Sequence, residues 1–159
     1  MTEVVRVGLV SDTHGVLPPE VFRALAGVTR ILHAGDVGMG HVLEDLARIA
    51  PVTAVRGNID DSYDLALRLP SFSVTDVAGV RFALTHIKGR ALGMEDARRR
   101  GCDVYVFGHT HVPEVVEDDG LWVENPGSAS RARGGHGCSV GVVDVAEGSV
   151  LGVRIQPLG

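Results

Sequence analysis

Five short polar motifs in this chain contain side chains that commonly bind transition metals. In chain order they are Asp12-Thr13-His14, Gly35-Asp36, Gly57-Asn58, His86 and Gly108-His109-Thr110-His111. Together they supply two aspartates, one asparagine and four histidines. This is the ligand set of a two-metal hydrolytic centre, in which protein nitrogen and oxygen atoms hold the ions and leave positions open for water and substrate.

The spacing within two of these motifs favours shared ligation. In an extended segment, side chains two residues apart point to the same side. We therefore expect Asp12 and His14 to reach one ion together, and His109 and His111 to do the same.

Each motif taken alone has an ordinary structural explanation. Asp-x-His triplets occur in surface turns, Asp36 is suited to capping a helix, and Asn58 is suited to a turn after glycine. A single histidine at a strand end, such as His86, is more often packed in the core than bound to metal. All five motifs, however, stand at predicted strand ends and in one order, and this favours the metal interpretation.

The first third of the chain alternates strands and helices. Apolar runs predict strands over residues 4–10, 31–34 and 52–55, and helical patterns cover residues 18–26 and 41–50. A polar motif follows each strand. Open α/β sheets bind their ligands at this end of their strands.

The second half predicts hairpins and one more strand-end motif. Strands over 71–77 and 80–86 are joined at Ala78-Gly79, and a helix over 92–100 precedes a strand over 104–107. Further strands are predicted over 112–117, 121–124, 139–145 and 150–155. Turns at Asp118-Asp119-Gly120 and Glu147-Gly148 support these pairings.

Composition predicts a single cytoplasmic domain over residues 1–159. Hydrophobic residues make up 45% of the chain and charged residues 22%, an ordinary globular balance. The net charge of −5 argues against binding to polymeric nucleic acid, which requires clustered cations. The chain has no apolar run long enough to span a membrane and no evident secretory signal, and two cysteines are too few for a disulfide framework.

The motif set resembles that of the calcineurin-like metallophosphoesterases, whose pattern is Asp-x-His, Gly-Asp, Gly-Asn-His, His and Gly-His-x-His. The likeness extends over nearly the whole chain, to the Asn125-Pro126-Gly127-Ser128 turn. The chain is most similar to the small single-domain phosphodiesterases of the YfcE type. This resemblance implies an α/β fold, a four-layer αββα sandwich of two mixed β-sheets flanked by helices, and the alternating pattern of elements supports it.

The resemblance also implies a ligand assignment. One ion would be held by Asp12, His14, Asp36 and His111, and the second by the bridging Asp36 with Asn58, His86 and His109. Asp36, Asn58 and His109 are accordingly the residues assigned to catalysis. The donor set suits two divalent transition-metal ions, manganese first and iron, zinc, nickel or cobalt as alternatives. A metal-bridging hydroxide would then attack phosphorus in line.

Two positions depart from the family pattern. Ile59 follows Asn58 where the family most often has a histidine that is thought to protonate the leaving group, although the YfcE-type proteins often lack it as well. Asp60 is a candidate substitute, with a solvated turn carboxylate as its simpler interpretation. Lys88 stands near His86 and offers a phosphate contact, whereas Arg56 and Arg131 are weaker candidates. His33 is expected to pack beside the site.

The sequence thus predicts hydrolysis of a small phosphodiester. Three alternatives stay open: a phosphomonoesterase, a nuclease, and a non-catalytic interaction scaffold like the small retromer subunit, which also resembles this family. The complete ligand set argues against the scaffold. The oligomeric state is open, with a homodimer as one option, because related proteins often dimerise.

Overall fold

A computed structural model describes residues 2–61, 65 and 68–159 of the chain. The strands of this part are β1 (Val5–Val10), β2 (Arg30–His33), β3 (Val52–Ala54), β4 (Phe72–Val77), β5 (Val80–Thr85), β6 (Val104–Val106), β7 (Glu114–Asp118), β8 (Leu121–Asn125), β9 (Ser139–Ala146) and β10 (Ser149–Pro157). The helices with described bounds are α1 (Glu20–Ala24), α2 (Gly40–Ala47) and α3 (Met94–Arg99), and the described residues Leu65 and Arg68 are also helical.

The strands form two five-stranded mixed sheets. The first sheet has the order β10-β9-β1-β2-β3, and the second has the order β4-β5-β6-β8-β7. Strands β1, β2 and β3 are parallel in the first sheet, and β5, β6 and β8 are parallel in the second. The remaining pairings are antiparallel. The parallel sets matter for function, because their carboxyl ends carry the polar motifs.

Three apolar layers hold the sheets and helices together. One layer packs α1 and α2 on the first sheet, and it contains Val21, Leu46, Ile31 and Val142. The middle layer lies between the sheets and contains Leu9, Leu32, Phe82 and Val106. The outer layer packs α3 on the second sheet, and it contains Leu92, Ala97, Ala83 and Tyr105. This arrangement confirms the predicted four-layer αββα sandwich.

The three predicted hairpin turns are confirmed. Each has two residues with positive φ: Ala78 and Gly79 between β4 and β5, Asp119 and Gly120 between β7 and β8, and Glu147 and Gly148 between β9 and β10. This is the backbone of a type I′ turn, whose twist matches that of the strands it joins.

The helices are shorter than the sequence pattern predicts. Helix α2 ends at Ala47, although the apolar stripe continues to Ala50, because Arg48 and Ile49 donate backbone bonds to residues three positions back in a tight final turn. Helix α3 begins at Met94, after Gly93, and helix α1 spans only Glu20–Ala24. None of the described helices has the length and apolarity needed to cross a membrane.

A buried glutamate occupies the layer between the sheets. Glu124 of β8 is fully buried, and its carboxylate reaches across to Gly141 of β9, where a Cβ would collide with Oε1. Neither carboxylate oxygen has a hydrogen-bond partner among the described residues. Burial therefore raises the pKa of Glu124 well above its usual value of 4.5.

We expect Glu124→Leu to stabilise the metal-free protein by about 1–3 kcal/mol at pH 8, because it removes an unpaired buried polar group. The gain should shrink toward pH 5. The pKa of Glu124 is higher in the folded protein than its unfolded value of about 4.5. The wild-type protein is therefore not destabilised by this group below pH 4.5, and it loses stability as the pH rises from there toward the folded pKa. Urea unfolding at both pH values measures this. A pH-independent difference between the proteins would contradict the assignment, and Glu124→Gln separates loss of titration from loss of polarity.

Candidate metal centre

The five polar motifs meet at one edge of the molecule. They directly follow β1, β2, β3, β5 and β6, all of which are parallel members of their sheets. Since the carboxyl ends of parallel strands share an edge, the two sheets together bring all five loops to one place. All seven predicted ligand residues lie in this group of loops.

Cluster 1 consists of Asp12, His14 and His111. Their potential ligand atoms all lie within 4.8 Å of one another. His111 Nε2 is 3.2 Å from Asp12 Oδ1 and 3.2 Å from His14 Nε2, and His14 Nε2 is 3.8 Å from Asp12 Oδ1. The three side chains thus converge as the ligands of one ion would.

Cluster 2 consists of Asp36, Asn58, His86 and His109. The potential ligand atoms of Asp36, His86 and His109 also lie within 4.8 Å of one another. Asn58 Oδ1 lies between the two imidazoles, 2.9 Å from His86 Nε2 and 3.2 Å from His109 Nδ1. The amide oxygen, which is the metal-binding atom of asparagine, therefore faces the histidine nitrogens.

Asp36 lies where the two clusters adjoin. Its Oδ2 atom is 3.3 Å from His86 Nε2 and 3.6 Å from His14 Nε2. Its Oδ1 atom accepts a hydrogen bond of 3.0 Å from the backbone N–H of Ile59, which fixes the carboxylate. A single carboxylate oxygen therefore faces nitrogen atoms of both clusters.

The donor atoms at this site fit divalent cations. Asp12 Oδ1 is buried and has no hydrogen-bond partner among the described residues, although three imidazole Nε2 atoms lie within 4.0 Å. The opposite ring nitrogens of two histidines are already engaged, since His86 Nδ1 bonds to the Ala34 carbonyl at 2.8 Å and His111 Nδ1 to the Arg131 carbonyl at 2.5 Å. Donating from Nδ1 leaves the Nε2 lone pair free for a metal.

The carboxylates at the site favour positive charge nearby. Burial acts to lower the pKa of His86, but the hydrogen bond to Asp36 and the charges of Asp12 and Asp36 raise it above its usual value. Burial acts to raise the pKa of Asp36, and the bonds from His86 and Ile59 lower it overall. For His14, burial outweighs both carboxylates and lowers the pKa.

The backbone at the motifs is left-handed, so the expectation of extended Asp-x-His and His-x-His segments is wrong. Positive φ values occur at Asp12, His14, Asp36, His109 and His111, between 48° and 74°. Residues with a Cβ adopt this region at a cost of about 1–3 kcal/mol each, and such strain is common at functional sites. Backbone bonds from Asp12 N to Gly35 O and from His14 N to Asp36 O hold the first of these loops in place.

Two glycines allow the loops to approach closely. A Cβ at Gly57 would collide with the carboxylate and backbone nitrogen of Asp36, and a Cβ at Gly108 would collide with Ser11 Oγ. Ser11 Oγ in turn donates a 2.6 Å bond to Asp12 Oδ2. The glycines of these motifs are thus required by contact between neighbouring loops.

Asp60 is not a solvated turn residue, contrary to the simpler interpretation from sequence. It is fully buried, and its two oxygens accept backbone N–H bonds of 2.9–3.0 Å from Val37, Gly38 and Gly57. These bonds tie the loop that carries Asp36 to the loop that carries Asn58. Asp60 therefore positions ligands of cluster 2.

We expect Asp60→Ala to destabilise the protein by about 3 kcal/mol or more, because three backbone N–H groups lose their acceptor and each costs about 1–3 kcal/mol. Metal affinity should also fall by about 10–100-fold, as is typical when a partner that orients a ligand is removed. Thermal unfolding and metal titration measure the two effects. The exposed neighbour Asp61 gives the matched control, Asp61→Ala. Equal stability of the two variants would contradict this role.

His33 packs beside the ligand loops, as the sequence predicted. It is fully buried, and burial lowers its pKa to about 4, so it is neutral. The N–H of Gly35 donates to its Nδ1 atom at 3.1 Å, and its Nε2 atom lies 3.0 Å from Thr13 Oγ1. The neutral ring thus links the loops that follow β1 and β2.

The turn after β8 donates hydrogen bonds to the ligand loops that follow β1 and β6, a role that the sequence did not indicate. Ser128 Oγ donates to the Asp12 carbonyl at 2.7 Å, and Ser130 Oγ donates to the Thr13 carbonyl at the same distance. Asn125 Nδ2 donates to the Gly108 carbonyl at 3.1 Å and to Thr110 Oγ1 at 3.0 Å. The Asn125-Pro126-Gly127-Ser128 motif was the available signal.

The remaining candidates are cations and histidines outside the two clusters. Lys88 Nζ lies 5.4 Å from the centroid of the Phe107 ring. Arg131 adjoins cluster 1 through its backbone carbonyl, which bonds to His111 Nδ1, and its charge adds to burial and to His111 in lowering the pKa of His14. His41 and His136 are exposed and belong to neither cluster.

The fold and the two clusters agree with a comparison against known families. The calcineurin-like phosphoesterase superfamily domain matches residues 5–148 of this chain. The chain therefore belongs to the calcineurin-like phosphoesterase superfamily, a class of hydrolases that act on phosphoester bonds.

Several individual proteins are similar to this chain over most of its length. A probable metallophosphoesterase of Methanothermobacter thermautotrophicus is 35% identical in a match that covers 80% of this chain and 78% of that protein. Phosphodiesterase YfcE of Escherichia coli is 32% identical in a match that covers 93% of this chain and 92% of that protein. The structure of vacuolar protein sorting 29 from Cryptosporidium parvum superposes with a TM-score of 0.75 at 23% identity, covering 96% of this chain and 97% of that one, and this shows a shared fold.

Proposed function

We propose that this chain hydrolyses small phosphodiesters at a two-metal centre. The observation that carries the proposal is the position of Asp36, whose Oδ2 atom lies within 3.6 Å of imidazole nitrogens from both clusters. A carboxylate between two groups of nitrogen ligands suits a shared ligand of neighbouring cations. The names of the relatives, a probable metallophosphoesterase and a phosphodiesterase, support the same activity.

In this proposal each ion has four protein ligands. The first would be held by Asp12, His14, Asp36 and His111, and the second by Asp36, Asn58, His86 and His109. Manganese is our first choice of metal. When bound, the two ions would lower the pKa of an attacking water and stabilise negative charge on the phosphate oxygens.

The chain's own residues orient these ligands and shape the charge of the site. The Ile59 amide and Asp60 fix the loops of Asp36 and Asn58, and Ser128 fixes that of Asp12. Because the ligand set contains just two aspartates, two divalent ions would give the site a net positive charge. An anionic ester would then be attracted to it even though the protein carries a net charge of −5.

A small diester is a better candidate substrate than a nucleic acid or a monoester. The acidic chain lacks the excess of cations that polymer binding requires. A diester also carries a single negative charge, which opposes nucleophilic attack less than the two charges of a monoester. We further propose that residues 1–159 form one domain and that the protein works in the cytoplasm. The homodimer stays a prediction.

The second candidate is a non-catalytic interaction scaffold. The fold it shares with vacuolar protein sorting 29 favours this alternative. The convergence of all seven donor residues favours the enzyme, because a surface used for docking alone does not need them.

Metal reconstitution separates these two functions. We expect metal-free protein to be inactive, and added Mn²⁺ to restore phosphodiester hydrolysis and raise the melting temperature, because the ion binds the folded state. The assay is a panel of diesters, monoesters and cyclic nucleotides, with Mg²⁺, Zn²⁺ and Ni²⁺ in parallel. Confirmed metal binding without turnover of any member of the panel would favour the scaffold.

A further inference from the structure

A cavity of about 190 Å³ opens beside cluster 2. Asn58 and His86 form part of its wall, and Ser71, Ile87, Arg90 and Ala91 form much of the remainder. An apolar cavity of about 150 Å³ is large enough to hold benzene, so this one has room for a single ring. A group bound there would lie directly beside two candidate metal ligands.

The wall of this cavity is preformed. Thr85 Oγ1 donates a 2.8 Å bond to the Arg90 carbonyl, and the buried Tyr105 hydroxyl donates a 2.6 Å bond to the Leu92 carbonyl. The same hydroxyl accepts a bond of 3.2 Å from the Gly89 N–H. Ala91 is held in a left-handed conformation, with φ of 59°. A loop fixed in this way can select ligands by shape at little entropic cost.

The cavity also carries a charge that the proposed reaction does not use. Arg90 is exposed, and within the described part of the chain its guanidinium has neither an ion pair nor a hydrogen bond. Arg56 is a second cation of the wall, whereas Ser71, Ile87 and Ala91 are uncharged. An anionic group on a bound ring would therefore find a cation at the cavity wall.

We infer that this cavity, named here the arm pocket, binds one ester arm of the phosphate substrate, a ring-sized group that bears a further negative charge recognised by Arg90. The inference rests on the proposed function, since the phosphate itself would be held at the metals. The arm pocket would make the enzyme selective for diesters with one bulky, anionic arm over simple alkyl esters.

Three stable phosphonates test the arm pocket by calorimetry on the Mn²⁺-loaded protein. They are methylphosphonate, phenylphosphonate and 4-carboxyphenylphosphonate, and none of them requires turnover. We expect phenylphosphonate to bind about tenfold more tightly than methylphosphonate because its ring is buried. The carboxylate should add a further factor of about three to five, as for a partly exposed ion pair, and this factor should shrink at high salt.

Three variants assign these preferences to the wall. Ser71→Trp fills the exposed rim and Ile87→Ala removes a ring contact, so each should reduce the preference for phenyl over methyl to less than about threefold. Arg90→Gln should remove most of the carboxylate preference, with Arg56 still in the wall, and should leave the ring preference unchanged. Arg23→Gln, which removes an exposed arginine of α1 that does not line the cavity, is the matched control for net charge.

The outcomes separate the arm pocket from the metal centre. Metal-dependent binding of methylphosphonate with no gain from the ring would overturn the pocket and leave the proposed function standing. A ring preference that survives both Ser71→Trp and Ile87→Ala would also overturn it, and an unchanged carboxylate preference in Arg90→Gln would overturn the role of Arg90. Absence of any metal-dependent phosphonate binding would contradict the proposed function itself, and the arm pocket with it.

Discussion

Hydrolysis by the wild-type protein should slow steeply as the leaving group becomes more basic. Position 59, directly after Asn58, holds isoleucine, whose side chain cannot donate a proton. Its backbone N–H is already bonded to Asp36. We therefore expect the leaving group to depart as an anion, so that aryl diesters such as bis-(p-nitrophenyl) phosphate react far faster than alkyl esters.

The neighbouring carboxylate does not remove this limitation. Both oxygens of Asp60 accept backbone N–H groups, and the residue is fully buried. The carboxylate is thus directed at the backbone of the loops that follow β2 and β3. The steep dependence is thus expected in spite of an aspartate next to Ile59.

Ile59→His tests the explanation, since residue 59 is 38% exposed and a larger polar ring has room there. A positioned general acid accelerates a reaction by about 10²–10⁴-fold. We expect a gain within this range for alkoxide leaving groups and little gain for p-nitrophenolate. Rates for a leaving-group series at saturating metal measure it, and Ile59→Asn controls for polarity without an acid. A flat dependence in the wild-type protein would show that another group supplies the proton.

The variant Asp36→Asn should lose both ions and nearly all activity. Asp36 is the residue whose oxygen faces both clusters, and an amide in its place removes the charge shared between them. We expect the loss of activity to exceed the factor of about 10–100 that is typical for residues which merely orient a ligand. Elemental analysis of the purified variant and its turnover of an aryl diester are the two measurements.

Asp119→Asn is a closely matched control. Asp119 is also an aspartate with a left-handed backbone, φ of 50° against 55° for Asp36, but it lies in the exposed turn between β7 and β8. The same substitution there should change neither metal content nor activity. Retention of two tightly bound ions and near-wild-type turnover in Asp36→Asn would refute the shared-ligand assignment.

The sequence was sufficient for features that depend on local pattern. Apolar runs located the strands, paired turn residues such as Glu147-Gly148 located the hairpins, and the polar motifs at strand ends brought together all seven candidate ligands. Parallel strands that end at one edge explain why motifs such as Asp12 and His111, far apart in the chain, meet in the fold.

Features that depend on contacts between distant segments were not predictable. In the sequence, Asp60 has the pattern of a turn residue. In the fold, its carboxylate accepts hydrogen bonds from the N–H groups of Val37 and Gly38, which lie more than 20 residues earlier in the chain. Likewise, Glu124 was not recognised as a core residue, because it is accommodated by the missing side chain of Gly141 on the other sheet. The left-handed backbone of the ligand loops also follows from bonds between loops.

The most direct test of the two-metal centre is an anomalous difference map from crystals of the Mn²⁺-loaded protein, collected near the manganese absorption edge. Two peaks about 3.5–4 Å apart are predicted. One should contact Asp12, His14 and His111, the other should contact Asn58, His86 and His109, and both should contact Asp36. A single peak, or peaks away from these side chains, would contradict the account.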